Sequence, residues 1–117
     1  MSEIAIEELA GRLGTVPILD VRTRSEFDGS AGQPCDPRQG RIPGARNVDV
    51  QHLMQLDREQ IEAAIGVASG DEIVAYCHSG SRSAVATQLL CGLGYAARNY
   101  VGSWHEWSRH DDLPIES

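Results

Sequence analysis

Apolar residues along the chain recur with helical spacing in some segments and form short continuous runs in others. Between positions 4 and 13 they share one helical face that ends at Gly14, which predicts a first helix. The run 16–21 is almost continuously apolar, as expected for a strand that is covered on both faces of a parallel sheet. A second apolar run, 72–76, predicts another strand.

The remaining segments continue this alternation. Asp57 is expected to cap a helix that ends near Gly66, and Ser103 is expected to cap a last short helix. The other predicted elements are a strand at 47–50, a helix near 52–54, a helix at 81–93, a strand at 96–101 and a Gly- and Pro-rich loop at 28–44. The pattern predicts one α/β domain over residues 1–117, with the site at the carboxyl ends of parallel strands.

The segment after the 72–76 strand carries the strongest chemical signal. Cys77 ends the strand, and a new helical pattern begins at Ser83. A tight loop at this point aims backbone N–H groups and the positive helix end at the sulfur, which stabilises a thiolate and an anion beside it. The candidate nucleophile is therefore Cys77, and the candidate substrate-binding residues are those of the loop: His78, Ser79, Gly80, Ser81 and Arg82.

Two reactions use a cysteine that is surrounded by amides. Phosphatase loops typically place five residues between the cysteine and the arginine, whereas four separate Cys77 from Arg82. The shorter loop has room for one extra sulfur atom but is tight for a phosphoryl group. This favours a persulfide on Cys77 and covalent catalysis in two half-reactions. A phosphatase or an arsenate reductase is the disfavoured alternative.

Composition narrows the function further. The net charge of −7 argues against binding to nucleic acid or to an anionic membrane surface. The three cysteines do not suggest a disulfide framework, and the N-terminus lacks the pattern of a secretory leader, so we expect a cytoplasmic protein. The four histidines are too scattered along the chain to match a known ligand spacing, so no metal and no organic cofactor is expected. Cys35, in the 28–44 loop, is expected to be an exposed thiol or a second sulfur acceptor.

Four motifs in order resemble those of a rhodanese domain. They are Leu-Asp-Val-Arg at 19–22 followed by Glu-Phe at 26–27, Gly-Arg-Ile-Pro-Gly-Ala-Arg-Asn at 40–47, Tyr-Cys-His-Ser-Gly-Ser-Arg-Ser-Ala at 76–84, and Tyr-Val-Gly-Ser-Trp-His-Glu-Trp at 100–107. The long insertion before position 40 and the final motif are similar to the C-terminal catalytic half of tandem thiosulfate and mercaptopyruvate sulfurtransferases.

The resemblance implies an α/β fold with a five-stranded parallel sheet that is flanked by helices on both faces. It also implies transfer of sulfane sulfur from a small donor through Cys77 to cyanide or a thiol. The loop departs from the Cys-Gly-Ser-Gly-Val form of mercaptopyruvate enzymes, and Glu26 stands where the tandem enzymes often have a donor-contacting arginine. Thiosulfate is therefore the expected donor.

The sequence leaves two possible roles open for most of the supporting residues. Asp20 and Arg22 either orient the loop or only pair with each other, and Glu26 is either an ion-pair partner of Arg82 or a solvated charge. Arg41 either lines the entrance or is architectural, and Trp104 is expected in the core or the pocket wall. A second hypothesis for function is a persulfide carrier or sensor that exchanges sulfur with a protein thiol partner.

Overall fold

The computed structural model describes residues 2–117 and contains one parallel sheet with helices on both faces. The strands are β1 (Ser2–Glu3), β2 (Ile18–Asp20), β3 (Arg46–Asn47), β4 (Glu72–Tyr76) and β5 (Ala96–Asn99). The helices are α1 (Ile6–Ala10), α2 (Arg24–Phe27), α3 (Val50–Leu53), α4 (Arg58–Ile65), α5 (Ser81–Gly92) and α6 (Ser103–Trp107). Within the described residues, none of these helices is both long and apolar enough to cross a bilayer.

The sheet has the order β1-β5-β4-β2-β3, and every pairing is parallel. This confirms the five-stranded α/β fold. Side chains of β4 alternate between two apolar clusters, with Ile73 and Ala75 on the face covered by α3, α4 and α5. Val74 and Tyr76 lie on the face covered by α1 and α6. The same alternation carries Cys77 to the α5 side, because successive strand residues point to opposite faces.

Several boundaries differ from the sequence prediction. The first helix covers only Ile6–Ala10, and the segment 47–50 is split between β3 and the start of α3. The edge strand β1 was not predicted, because two exposed residues carry no periodic pattern. Asp57 caps α4, as the sequence predicts, and the structure adds a capping box with Gln60.

The cap of the last helix was predicted wrongly. Gly102 holds the cap position, and Ser103 is the first helical residue, with φ at 55°. This backbone conformation is unfavourable for a residue other than glycine. It is held in place because the Ser103 hydroxyl donates to the Tyr100 carbonyl at 2.8 Å and accepts from the Cys77 amide at 3.1 Å.

A buried ion pair joins the central strands to the end of the insertion. Asp20 accepts hydrogen bonds from the backbone and guanidinium of Arg22, and it also accepts from the Tyr76 hydroxyl at 2.6 Å. The same hydroxyl accepts from the Ile42 amide at 3.1 Å, and Arg22 donates to the Gly40 carbonyl at 2.6 Å. Burial and the Asp20 charge raise the pKa of Tyr76, which keeps it a neutral donor.

We expect Tyr76→Phe to lower the free energy of unfolding by about 1–3 kcal/mol, because it leaves a buried carboxylate and a buried amide each short of one partner. Urea unfolding measures the change. Tyr95→Phe is the matched control. The Tyr95 hydroxyl makes one hydrogen bond, to the Val67 carbonyl, so its removal is expected to lower the free energy of unfolding by less. Equal losses in the two variants would contradict a special role for the Asp20 network.

Candidate active site

Cys77 is the first residue after β4, and its backbone is fixed from both sides. Its amide donates to the Ser103 hydroxyl, and its carbonyl accepts from the Trp104 amide at 2.9 Å. The loop that follows turns directly into α5, whose twelve residues begin at Ser81. The sulfur therefore lies at the carboxyl end of a central strand and at the amino end of a helix, where the helix dipole favours negative charge.

Polar groups surround the sulfur in spite of its burial. Cys77 has no exposed surface, yet the Gly80 amide donates to its Sγ at 3.1 Å and the Ser83 hydroxyl donates at 3.4 Å. Burial alone raises the pKa of the thiol. The Ser83 hydroxyl and the amides of Ser83, Gly80 and Ser79 outweigh that effect, so the pKa of Cys77 is lowered from its ordinary value.

Glycine is required at position 80. Its φ is 96°, and a Cβ at this position would lie 2.7 Å from the Val101 carbonyl oxygen, which is too close for any side chain. The side-chain amide of Asn99 donates a hydrogen bond to the Gly80 carbonyl at 3.2 Å. The strand β5 and the segment after it therefore press the loop into the curl that aims the Gly80 amide at the sulfur.

Arg82 is positioned by Glu26. Its guanidinium donates two hydrogen bonds to the Glu26 carboxylate, at 2.9 and 3.2 Å, so the ion-pair alternative for Glu26 is confirmed. Burial raises the pKa of Glu26, but the Arg82 hydrogen bonds and the Thr23 cap outweigh it and lower the pKa to about 2. Arg82 remains one-third exposed, and its charge interacts with Cys77. It is thus held near the sulfur with part of its surface open to an anion.

The other supporting residues have structural contacts. Asp20 and Arg22 pair with each other in full burial, as one alternative proposed. Trp104 is buried, donates to the Arg38 carbonyl at 3.0 Å and stacks near the Arg22 guanidinium, which confirms its place in the core. Arg41 lies over the Phe27 ring and pairs with Glu116, and its role at the entrance stays a prediction.

His78 turns toward the insertion. Its Nε2 lies 3.0 Å from the Asp36 carboxylate, and its ring meets the His105 ring edge-on at 5.4 Å between centroids. The spacing of the histidines along the chain predicted no metal site, but the fold brings His78 and His105 together. Both follow central strands, so both lie at the carboxyl edge of the sheet.

The sequence interpretation missed three residues that shape the site. Ser83 donates to the sulfur, Asn99 fixes Gly80, and Ser103 fixes the Cys77 amide. The position of Ser83 in the sequence could have indicated its role, because a hydroxyl in the first turn after a cysteine loop is close to the sulfur. Asn99 and Ser103 are on a neighbouring strand and helix, and only the strand order reveals their proximity.

A shallow groove lies beside the loop. It encloses about 250 Å³ and is lined by Val50, Gln51, Met54, Ser81, Arg82 and Val85. Met54 and Val85 are 48% and 46% exposed, which is unusual for large apolar side chains at a polar site. The groove therefore offers an apolar wall next to the exposed edge of Arg82.

This fold and this loop define a class: a parallel α/β domain with an activated cysteine at the carboxyl end of a central strand. The rhodanese-like domain profile matches residues 5–110, and the chain belongs to the rhodanese-like domain family. It is 34% identical to a thiosulfate sulfurtransferase from Azotobacter vinelandii, over 92% of this chain and 43% of that protein.

Solved structures agree on the fold. A crystal structure of a probable thiosulfate sulfurtransferase is 43% identical, with a TM-score of 0.84 over 98% of this chain and 47% of the other. An anaerobic ergothioneine biosynthesis enzyme from Chlorobium limicola, 23% identical, shares the fold with a TM-score of 0.87, over 98% of this chain and 28% of that one. The chain thus spans less than half the length of these relatives.

We expect Ser83→Ala to raise the pKa of the Cys77 thiol, because it removes a hydrogen bond that favours the charged form. The rate of alkylation by iodoacetamide as a function of pH reports this pKa, and at neutral pH the rate should fall with the thiolate fraction. Ser79→Ala is the control, since it keeps the backbone amide and removes only an exposed hydroxyl. An unchanged profile in Ser83→Ala would contradict the role of its hydroxyl.

Proposed function

We propose that the chain is a sulfurtransferase that carries sulfane sulfur as a persulfide on Cys77, with thiosulfate or a similar anion as donor. The observation that carries the proposal is the pair of donors on a buried sulfur, the Gly80 amide and the Ser83 hydroxyl. A structural cysteine in an apolar core has no use for them. The names of the relatives, several of which are thiosulfate sulfurtransferases, support the same activity.

In the first half-reaction the Cys77 thiolate attacks the outer sulfur of thiosulfate. A new S–S bond forms, the original bond between the two sulfur atoms breaks, and sulfite leaves with the electron pair. No general base is needed, because the polar contacts already lower the pKa of the thiol. Arg82 and the amino end of α5 offset the negative charge of the approaching anion, which the net charge of −7 would otherwise repel.

In the second half-reaction an acceptor such as cyanide attacks the outer sulfur of the persulfide. Thiocyanate leaves and the Cys77 thiolate returns, held by the same donors. Since Cys77 has no exposed surface, side chains at the loop must shift before either small molecule reaches the sulfur. The partly exposed Arg82–Glu26 pair is the polar group best placed to move.

Treatment of the protein with thiosulfate should add one sulfur atom to Cys77, detectable by mass spectrometry of the intact chain and its peptides. Cyanide should then remove it as thiocyanate. Cys77→Ser should abolish both, whereas Cys91→Ser, which alters a half-buried thiol packed on the core, should not. A wild-type chain that stays unmodified would overturn the proposal, as would hydrolysis of an aryl phosphate blocked by Cys77→Ser.

The rate of thiocyanate formation from thiosulfate and cyanide tests the role of Arg82. We expect Arg82→Met to lower kcat/KM for thiosulfate by about 10- to 150-fold, the equivalent of a lost charge-assisted hydrogen bond of about 1.5–3 kcal/mol. Arg58→Met is the control, because Arg58 is exposed and caps the Leu93 carbonyl. The double variant Glu26→Gln/Arg82→Met removes the charge that would otherwise be left unpaired, and its activity should stay low.

A second candidate function is a persulfide carrier that exchanges sulfur with a protein thiol. The observation that favours it is the position of the exposed large apolar residues among positions 2–117: Met54 and Val85 line the groove beside Arg82, and Val101 contacts Gly80. This apolar rim surrounds the loop that holds Cys77. A small hydrophilic donor has no need of it, whereas a protein surface would bury it.

Replacement of Met54 and Val85 by glutamate distinguishes the two candidates. If a protein thiol docks on the apolar rim, transfer of sulfur from the persulfide to a reduced protein thiol should slow by tenfold or more, while transfer to cyanide stays within a few-fold. Thioredoxin provides such a protein thiol. Equal rates of transfer to thioredoxin in variant and wild type would exclude the carrier surface.

A further inference from the structure

A second cluster of reactive side chains lies on the other flank of the cysteine loop. Cys35 and Asp36 come from the 28–44 insertion, His78 from the loop itself and His105 from α6. One ligand atom from each of these residues lies within 4.8 Å of all the others. Three separate parts of the chain therefore converge on one point.

Two atoms at the centre of this cluster lack the partners that burial demands. His78 Nε2 and Asp36 Oδ2 are 3.0 Å apart, within ion-pair distance, but they are not aligned for a hydrogen bond. Neither buried atom has a hydrogen-bond partner among residues 2–117. The Asp36 side chain is fully buried, and a buried carboxylate oxygen is costly unless it is paired or bound to a metal.

We propose that Cys35, Asp36, His78 and His105 bind a divalent transition metal of the zinc type. One thiolate, one carboxylate and two imidazoles form a ligand set that suits zinc and cobalt, whereas magnesium and calcium require oxygen ligands. Tetrahedral zinc holds its ligand atoms about 3.3–3.8 Å apart. His78 Nε2 lies 3.0 Å from Asp36 Oδ2, and His105 Nδ1 and the Cys35 sulfur lie 3.6 and 3.9 Å from Asp36 Oδ1. Shifts of a few tenths of an ångström to about one ångström would bring four ligand atoms that lie within 4.8 Å of one another to the tetrahedral spacing.

The contacts around the cluster support this assignment. Arg109 donates to Asp36 Oδ1 at 2.9 Å and to the Cys35 carbonyl at 2.8 Å, which orients both residues, while Asp36 Oδ2 faces His78 and accepts no hydrogen bond from the described residues. The His105 amide donates to the His78 carbonyl at 2.9 Å and sets the distance between the two rings. Cys35 and half of His105 are exposed, so an ion can enter from solvent.

The anionic ligands match the charge of the metal. A Cys35 thiolate and the Asp36 carboxylate carry two negative charges against two on the ion, and binding releases the thiol proton to solvent. Arg109, 2.9 Å from Asp36, then leaves one net positive charge at the site. The bound ion would tie the insertion to His78, the residue that follows Cys77. It would thus fix one side of the cysteine loop without using Cys77 itself, so the metal site does not depend on the proposed function.

Cobalt titration of the full chain tests the site. In metal-free, reduced Cys77→Ser protein, one equivalent of Co²⁺ should produce the visible bands of tetrahedral cobalt and a near-ultraviolet band from thiolate-to-cobalt charge transfer. Cys35→Ser should remove the charge-transfer band, and His105→Ala should weaken binding by about 10–100-fold or more. His52→Ala and Cys91→Ser, which alter residues outside the cluster, should leave the charge-transfer band and the cobalt affinity unchanged.

Three outcomes would overturn the proposal: no spectral change with Co²⁺, a charge-transfer band that survives in Cys35→Ser, or an equal loss of affinity in His105→Ala and His52→Ala. Unfolding midpoints of the variants separate loss of a ligand from loss of the fold. Since the titration uses Cys77→Ser, its result is independent of sulfur transfer, which is assayed on metal-free wild-type protein.

Discussion

The structure depends on how a buried sulfur is kept in contact with polar groups at the end of a central strand. An ordinary core cysteine would have a raised pKa in this position, because burial disfavours the thiolate. The Ser83 hydroxyl and the amides of Ser83, Gly80 and Ser79 reverse the direction of that pKa shift. The Gly80 amide reaches the sulfur because Gly80 adopts a left-handed conformation under Val101, where a Cβ would clash.

The parallel sheet supplies the rigid support for this geometry. The loop is held from one side by Asn99, at the end of β5, and Ser103, at the start of α6. The strained backbone of Ser103 indicates that the fold favours the position of its hydroxyl over local conformational preference. On the face that α1 and α6 cover, the Asp20 network holds the end of the insertion against β4 through Tyr76 and Gly40.

The chain order of apolar runs was sufficient to predict β4, α5 and the cysteine loop, because each is a local pattern followed by a local stop. The Glu26–Arg82 pair was predicted only as an alternative, and the hydrogen bond from the Cys77 amide to the Ser103 hydroxyl was not predicted. Such contacts join residues that are distant in the chain, and they depend on which strands are neighbours. The convergence of Asp36 with His78 was inaccessible for the same reason, since the insertion that carries Asp36 has no periodic pattern from which its position could be predicted.

The sulfur of Cys77 is buried, whereas the apolar residues around its loop are exposed, and this contrast bears on how the sulfur is reached. A persulfide is readily lost to any thiol that can reach it, so a carrier of sulfane sulfur benefits when the sulfur is hidden until the correct molecule arrives. In this chain the sulfur has no exposed surface, while Met54, Val85 and Val101 around it are 41–48% exposed. Access to the sulfur must therefore be coupled to binding at the loop, whether a small anion displaces Glu26 from Arg82 or a protein surface covers the apolar rim.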